Sequence, residues 1–393
     1  MTSQPSTARR RLAFALRAAA VFALSLALPA AAQERLAVEL QVVDALRPLL
    51  AQHLRILNRE VVVPESRADR AALVRRTRRD VANLLATEGY FTPEVRLDRS
   101  EAGRWVLQVE PGERTLVDGV EITFEGHLAA DDAALAERRA AFTAAWPLKS
   151  GMPFRQADWD SAKVSLLDGV AVRDYAAARI AESRAEVDPE RARANLTVRV
   201  DSGPPFRLGP IRVIGIERLP EGLVSRYGRL TEGERFDQER LLAFQSTLQN
   251  APQFASVVVD IRRDPALADA VPVEVHVSEA DSRHLSMGAG YSTNTGARAE
   301  LGWRDVNLRG RAWELSTGLR LEQRRQSLYA DLFMPPSLDG HRDSFGVLVD
   351  ASEISGLDTR IQAIGATRTE LRGDIETAIG LRYQRESLRP AGA

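Results

Sequence analysis

The side chains best able to do chemistry in this 393-residue chain are five histidines, His53, His127, His276, His284 and His341, and a few acidic pairs. A neutral imidazole can ligate a metal or carry a proton, and neighbouring carboxylates can divide general acid and base roles. Metal ligation needs ligands at short, regular spacings, and these histidines are scattered without any. There is no cysteine, which removes thiolate ligands, thiolate nucleophiles and disulfides together. Asp131-Asp132 reads as a helix start, and Glu279 with Asp281 as a linker. No nucleophile elbow, phosphate loop or helical histidine pair occurs. The expectation is a protein that is not an enzyme and uses no metal or cofactor.

What remains is the chemistry of the backbone itself, because an extended segment with unpaired N–H and C=O groups can take up another strand. From His284 the pattern switches to strict alternation. Leu285, Met287, Ala289 and Tyr291 fall on one face, and Ser286, Gly288, Gly290 and Ser292 on the other. Gly288 and Gly290 weaken its packing and permit close backbone approach. The same two glycines are equally compatible with the ordinary taper of a barrel.

The elements after this strand repeat its alternation. Ser292 to Gly296 reads as a turn. Ala297, Ala299, Leu301 and Trp303 then oppose Arg298, Glu300 and Arg304, and Asn307-Leu308-Arg309-Gly310 turns the chain again. Trp313, Leu315, Thr317, Leu319 and Leu321 oppose Glu314, Ser316, Gly318 and Arg320. Further segments lie near 327–334, 344–352, 359–368 and 374–384. Strands of roughly ten residues, apolar on one face and charged on the other, are what a transmembrane barrel requires. Trp303 and Trp313 are expected near a strand end and a strand start, flanking the Asn307–Gly310 turn, where aromatic girdles sit. About seven strands precede the end at Ala393, so the barrel is expected to be incomplete and the chain a truncated product or fragment.

Upstream, the sequence repeats at a spacing of about eighty residues. Leu148-Lys149-Ser150-Gly151-Met152-Pro153-Phe154-Arg155-Gln156 matches Leu230-Thr231-Glu232-Gly233-Glu234-Arg235-Phe236-Asp237-Gln238 at Leu, Gly, Phe and Gln. After each match a helical stretch ends in an aromatic that opens a strand, Tyr175 and Phe254, and Tyr90 opens an earlier copy. Three β-α-α-β-β modules follow from this. The first has strands 36–43, 92–98 and 104–110 around helices 44–57 and 68–88. The second has strands 117–124, 176–184 and 195–201 with helices 131–145 and 156–168. The third has strands 206–214, 254–262 and 272–278 with helices 220–227 and 237–248. Each is expected to bury one small core and to leave an edge strand at its sheet, which either accepts an extended peptide or is blocked, the modules then only spacing the barrel from a partner.

Arg9 to Arg11, the apolar run Leu12–Leu28 and Ala30-Ala31-Ala32 read as a signal peptide cleaved near Gln33. The expected domains are 1–32 signal peptide, 33–113, 114–203 and 204–280 as the three modules, and 284–393 as the N-terminal part of the barrel. The formal net charge of −1 offers no global field for nucleic acid. The basic residues, nearly all arginine, are interleaved with acids and read as a solvated surface.

Taken together, the tandem modules, Glu88-Gly89-Tyr90-Phe91, the Leu-x-x-Gly-x-x-Phe-x-Gln repeats, Gly288-Ala289-Gly290-Tyr291, Gly302 to Leu308 and Phe333-Met334-Pro335-Pro336 resemble the POTRA-barrel superfamily of outer-membrane protein insertases. Within it the chain resembles the branch that serves the translocation and assembly module. The resemblance implies an α+β protein with three POTRA modules in the periplasm and an antiparallel barrel in the bacterial outer membrane. It implies a TamB-like inner-membrane-anchored partner, contact with outer-membrane lipid, and unfolded outer-membrane clients such as autotransporters. The resemblance also implies that clients are templated on the first barrel strand at a lateral gate, which by position places the candidate strand-pairing site at Leu285, Met287, Gly288, Ala289, Gly290 and Tyr291. The family's Arg-Gly-aromatic loop element has no counterpart here, since Arg309-Gly310-Arg311 and Arg372-Gly373-Asp374 are short turns by position. Two alternatives stay open. One is the two-partner-secretion pore of the same superfamily, which usually carries two modules. The other is a periplasmic POTRA scaffold.

Overall fold

The protein is described by a computed structural model covering residues 36–58, 61, 66–101, 104–228, 230–293, 296–354, 356–372 and 375–390. The expected signal peptide therefore lies outside the described residues, as does part of the first hairpin turn. The fold is α+β, with three three-stranded sheets and one seven-stranded antiparallel sheet. It forms two compact units. One gathers the described residues up to 121 with 147–162 and 184–197, and the other gathers 122–146, 163–183 and the chain from 198 onward.

In the first unit, β1 (Val38–Gln41) runs parallel to β3 (Trp105–Glu110), which pairs antiparallel with β2 (Glu94–Arg99). Between them lie α1 (Arg47–His53) and the longer α2 (Arg67–Thr87). Ser66 starts α2 by accepting the Asp69 N–H while Asp69 accepts the Ser66 N–H, a reciprocal capping box. Val81 and Leu85 of α2 join Leu50, Leu97 and Leu107 in a core built from the first module alone.

Alpha2 ends because Gly89 takes φ +91°, a left-handed conformation open to glycine at no steric cost. The Gly89 carbonyl then accepts the Thr115 N–H at 2.8 Å, and the Thr115 carbonyl accepts the Phe154 N–H at 2.9 Å. A Cβ at position 89 would run into the Phe154 carbonyl oxygen. Gly89→Ala is thus expected to combine left-handed strain with a backbone clash and to cost about 2 kcal/mol or more. Urea titration of the variant checks this, and an unchanged midpoint would contradict it.

The second module follows the same plan, with β4 (Leu116–Glu125), α3 (Ala133–Ala145), α4 (Gln156–Ala171), β5 (Arg179–Asp188) and β6 (Arg193–Asp201). Its sheet order is β4-β6-β5. Asp132 caps α3 by accepting the Leu135 N–H, as expected for a helix start.

In the second unit, the third module has β7 (Leu208–Ile214) parallel to β9 (Val271–Glu279), which is antiparallel to β8 (Phe254–Ile261). Its helices are the short α5 (Leu223–Arg226) and α6 (Gln238–Gln249), the latter capped by Asp237. Its core of Phe206, Phe236, Leu248, Val273 and Val275 also takes in Ala176 from the second module and Ala312 from the turn between the second and third strands of the large sheet. One separate core per module was the expectation. Here the ends of one core are closed by the neighbouring elements, so their apolar contacts cannot be divided.

The large sheet is a meander of β10 (Arg283–Ser292), β11 (Gly296–Leu308), β12 (Trp313–Glu322), β13 (Arg325–Phe333), β14 (His341–Ile354), β15 (Leu357–Arg372) and β16 (Ile375–Pro390), each paired with its neighbour in sequence. Register places Met287, Leu301, Leu319, Leu328 and Val349 in one row across five strands. The adjacent row on the opposite face is Gly288, Glu300, Arg320, Ser327 and Asp350. Arg320 pairs with Glu300 at 2.7 Å, and Arg325 with Asp350 at 2.9 Å. One face is therefore apolar and exposed, and the other carries ion pairs, as the alternation required. Two expectations need correction. The last three strands have 14, 16 and 16 residues rather than about ten, because the polar ends of the band stay in the ladder. Trp303 lies within β11, opposite Leu285 and Thr317, because that strand runs on to Leu308 through an irregularity between Asp305 and Leu308.

Candidate functional site

The six residues predicted for strand pairing all lie on β10. This strand pairs with β11 on one side and is the terminal strand of the sheet, so its other edge faces no strand among the described residues. Leu285, Met287 and Tyr291 are exposed by 58%, 78% and 78%, which makes the edge both apolar and unprotected. A Cβ at Gly288 or Gly290 would meet nothing closer than the Glu300 and Arg298 side chains, at 3.8 and 3.5 Å. The two glycines are thus not forced by crowding. They leave that face of β10 bare at two successive positions between Ser286 and Ser292.

The opposite end of β10 shows how the edge is held. Three equivalent residues precede the three aromatics that open a strand. The Gly89 carbonyl accepts from Thr115, the Asp174 carbonyl accepts from Phe206 at 2.6 Å, and the Gln253 carbonyl accepts from Ala280 at 2.9 Å. In the first two cases the Leu-x-x-Gly-x-x-Phe-x-Gln element completes the joint. Gly151 and Gly233 both have φ +83° and donate to Val117 and Leu208, and Phe154 and Phe236 are both buried. Asp174 takes φ +68°, the left-handed region that Gly89 uses, and Arg138 pairs with its carboxylate at 2.8 Å.

At the third joint the β11–β12 turn stands in for the repeat element. Gln253 donates its side-chain amide to the Ala312 carbonyl at 2.8 Å and accepts the Tyr227 hydroxyl at 2.9 Å. Asn307 donates to the Arg218 carbonyl at 3.0 Å and accepts the Ala312 N–H. Arg342, at the start of β14, lies 5.9 Å from the centre of the Tyr227 ring. Burial pushes the Tyr227 hydroxyl up to about 12, so it stays protonated as a donor. Arg309 and Ala312 hold left-handed φ of +56° without being glycine. Such strain survives where surrounding contacts fix it, and at Ala312 the third module supplies one through Gln253.

Glu279, read from sequence as part of a linker, is instead the clasp of this joint. Its carboxylate accepts the N–H groups of Glu217, Arg218 and Leu219 at 2.8–3.0 Å, and the Arg218 guanidinium at 2.8 Å. Arg218 also donates to the Ala280 carbonyl, just ahead of β10. Partial burial opposes ionisation, but the backbone N–H groups and Arg218 outweigh it and hold the carboxyl at about 2, below its ordinary 4.5. Since the folded value is the lower one, the stabilisation is complete above about pH 4.5 and is lost as the pH falls toward 2. It is worth roughly 3 kcal/mol. Glu279→Gln is expected to flatten the acid limb of the stability profile in that window, read by denaturant midpoints at stepped pH. An unchanged limb would show that other carboxylates set it.

Gln253, Glu279, Arg218, Asn307 and Tyr227 were missed from sequence. The position of Gln253 was findable, since it precedes Phe254 as Gly89 precedes Tyr90. The histidines are separate, with His127 bonded to the buried Tyr175 hydroxyl at 3.0 Å. Among the described residues no group of three His, Cys, Asp or Glu could hold a metal ion, and no helix is long and apolar enough to cross a membrane.

Sheet-and-helix modules thus lead into an antiparallel sheet with one apolar and one charged face. That fold is shared with BamA from Haemophilus ducreyi lacking POTRA domains 1–3, at TM-score 0.56 and 16% identity, covering 71% of this chain and 52% of that one. The chain thus spans about half the length of that structure. CdiB from Escherichia coli also matches, at TM-score 0.37 and 17% identity, over 85% of this chain and 62% of that one. The POTRA3–5 fragment of Haemophilus influenzae BamA matches at TM-score 0.38 and 16% identity, over 62% and 96%. No protein-family model matches the chain.

Proposed function

We propose that the chain is an outer-membrane assembly factor of the POTRA-and-barrel superfamily, and within it the TamA-like subunit of a translocation and assembly module. The seven-stranded sheet lies in the bacterial outer membrane with its apolar face toward lipid, and the modules lie in the periplasm. The observation that carries this is the exposed apolar face of a sheet whose other face is ion-paired, ending in β10, whose second edge meets no strand among the described residues. A soluble protein rarely leaves so large an apolar face uncovered, whereas lipid covers it at no cost.

In this reading an unfolded client adds its strand to β10, and the next client strand adds to that one. The free energy comes from strand pairing and from burial of the client in lipid, so the chain carries out no covalent chemistry and needs no cofactor. The three modules favour autotransporter-type assembly with a TamB-like periplasmic partner over a two-partner-secretion pore. Deleting the reading frame in its own host and following surface display of an autotransporter tests the proposal. Loss of display with normal porin levels is expected. Loss of both together, or of neither, overturns the specific assignment.

A further inference from the structure

The first module carries a groove that strand pairing does not use. It is about 770 Å³ in volume and runs between the end of α1 and one face of α2. Arg55, Arg75, Arg76 and Arg79 line it against a single acid, Asp80, while Leu54 and Leu84 give it an apolar floor. Positions 72, 75, 76, 79, 83 and 87 fall on one helical face, opposite the buried Thr77, Val81 and Leu85.

Most arginines elsewhere are matched with an acid or a carbonyl. Arg96 pairs with Glu94, Arg155 with Glu88, Arg179 with Asp201, and Arg78 of the same helix donates to the Val95 carbonyl. Arg75, Arg76 and Arg79 enter no ion pair or hydrogen bond among the described residues. Three unmatched guanidinium groups in a concave, apolar-floored groove are preorganised to receive carboxylates, for which the planar fork gives paired hydrogen bonds.

We infer that this groove is a docking site for an acidic polypeptide, a segment in which carboxylates alternate with apolar side chains. Its lining spans residues 72–87 of α2, about 22 Å at the helical rise, which suits a segment of several residues better than a single lipid phosphate. The apolar floor gives the intervening side chains a place to bury. The inference concerns the first module alone and stands whether or not β10 accepts clients.

The test uses the whole chain in detergent micelles and a fluorescent ten-residue peptide of alternating Glu and Leu. A Lys-Leu peptide and phosphatidylglycerol vesicles serve as the other probes. Arg75→Gln/Arg79→Gln is compared with Arg67→Gln/Arg70→Gln, which neutralises two arginines of α2 outside the groove lining. The groove variant should bind the acidic peptide at least about tenfold more weakly, while the other pair binds as the parent does. Matching circular dichroism melts confirm that both variants fold. Equal loss in both variants would mean a diffuse charge effect and would overturn the site. So would failure of the parent to bind the acidic peptide, or binding to the vesicles alone, which would assign the arginines to lipid headgroups.

Discussion

Tyr175→Ala should cost about 3–5 kcal/mol, the range for removing a large buried side chain from a packed core. Tyr175 is 1% exposed, and burial raises its hydroxyl above the ordinary tyrosine value, although nearby Arg138 opposes that shift. The ring lies 5.2 Å from the Arg138 guanidinium, and the hydroxyl meets His127 Nδ1 at 3.0 Å. Truncation would leave a cavity and remove the partner of His127. It would also loosen the residue next to Asp174, whose carbonyl and N–H both bond to the third module. Denaturant melts should therefore show the third module weakened along with the second. Tyr175→Phe, which keeps the ring, should lose only about 1 kcal/mol. Equal losses in the two variants would mean that the hydroxyl, and not the packing, is what matters.

Proline placed along β10 should stop client assembly with a period of two. Successive residues of a strand direct their N–H groups to opposite sides, so only every second N–H of β10 faces the free edge. Proline removes that donor and is tolerated in a sheet only on an edge. Of Met287→Pro, Gly288→Pro, Ala289→Pro and Gly290→Pro, one alternate pair should abolish surface display while leaving the β10–β11 ladder intact. The other pair should instead break the ladder and lower the stability of the sheet. Display that survives all four substitutions would remove β10 from the mechanism.

Much of the architecture is legible in the sequence because it is periodic. The alternation from Leu285 to Tyr291 and from Trp313 to Leu321 reappears as rows in the register, and Gly89 ends its helix in the left-handed turn expected. The module helices and strands fall within a few residues of the patterns that announce them. The joints are not legible in that way. Gln253 reaches Ala312 across 59 residues and Asn307 reaches Arg218 across 89, and single polar contacts at such distances leave no period. Glu279 looks like a linker acid until the 217–219 backbone folds over it. The arginines of α2 look interleaved with acids along the chain, and only the helix shows that Arg75, Arg76 and Arg79 share one face.

The most direct measurement is disulfide cross-linking of β10 to a client strand in the outer membrane. The chain has no native cysteine, so single cysteines at positions 285 to 291 report without background. An autotransporter barrel with one cysteine in its terminal strand serves as the client. Cross-links that recur at every second position of β10, with none from Gly318→Cys in the paired strand β12, are the predicted result. No cross-link along β10, or equal capture at β12, would contradict strand templating at this edge.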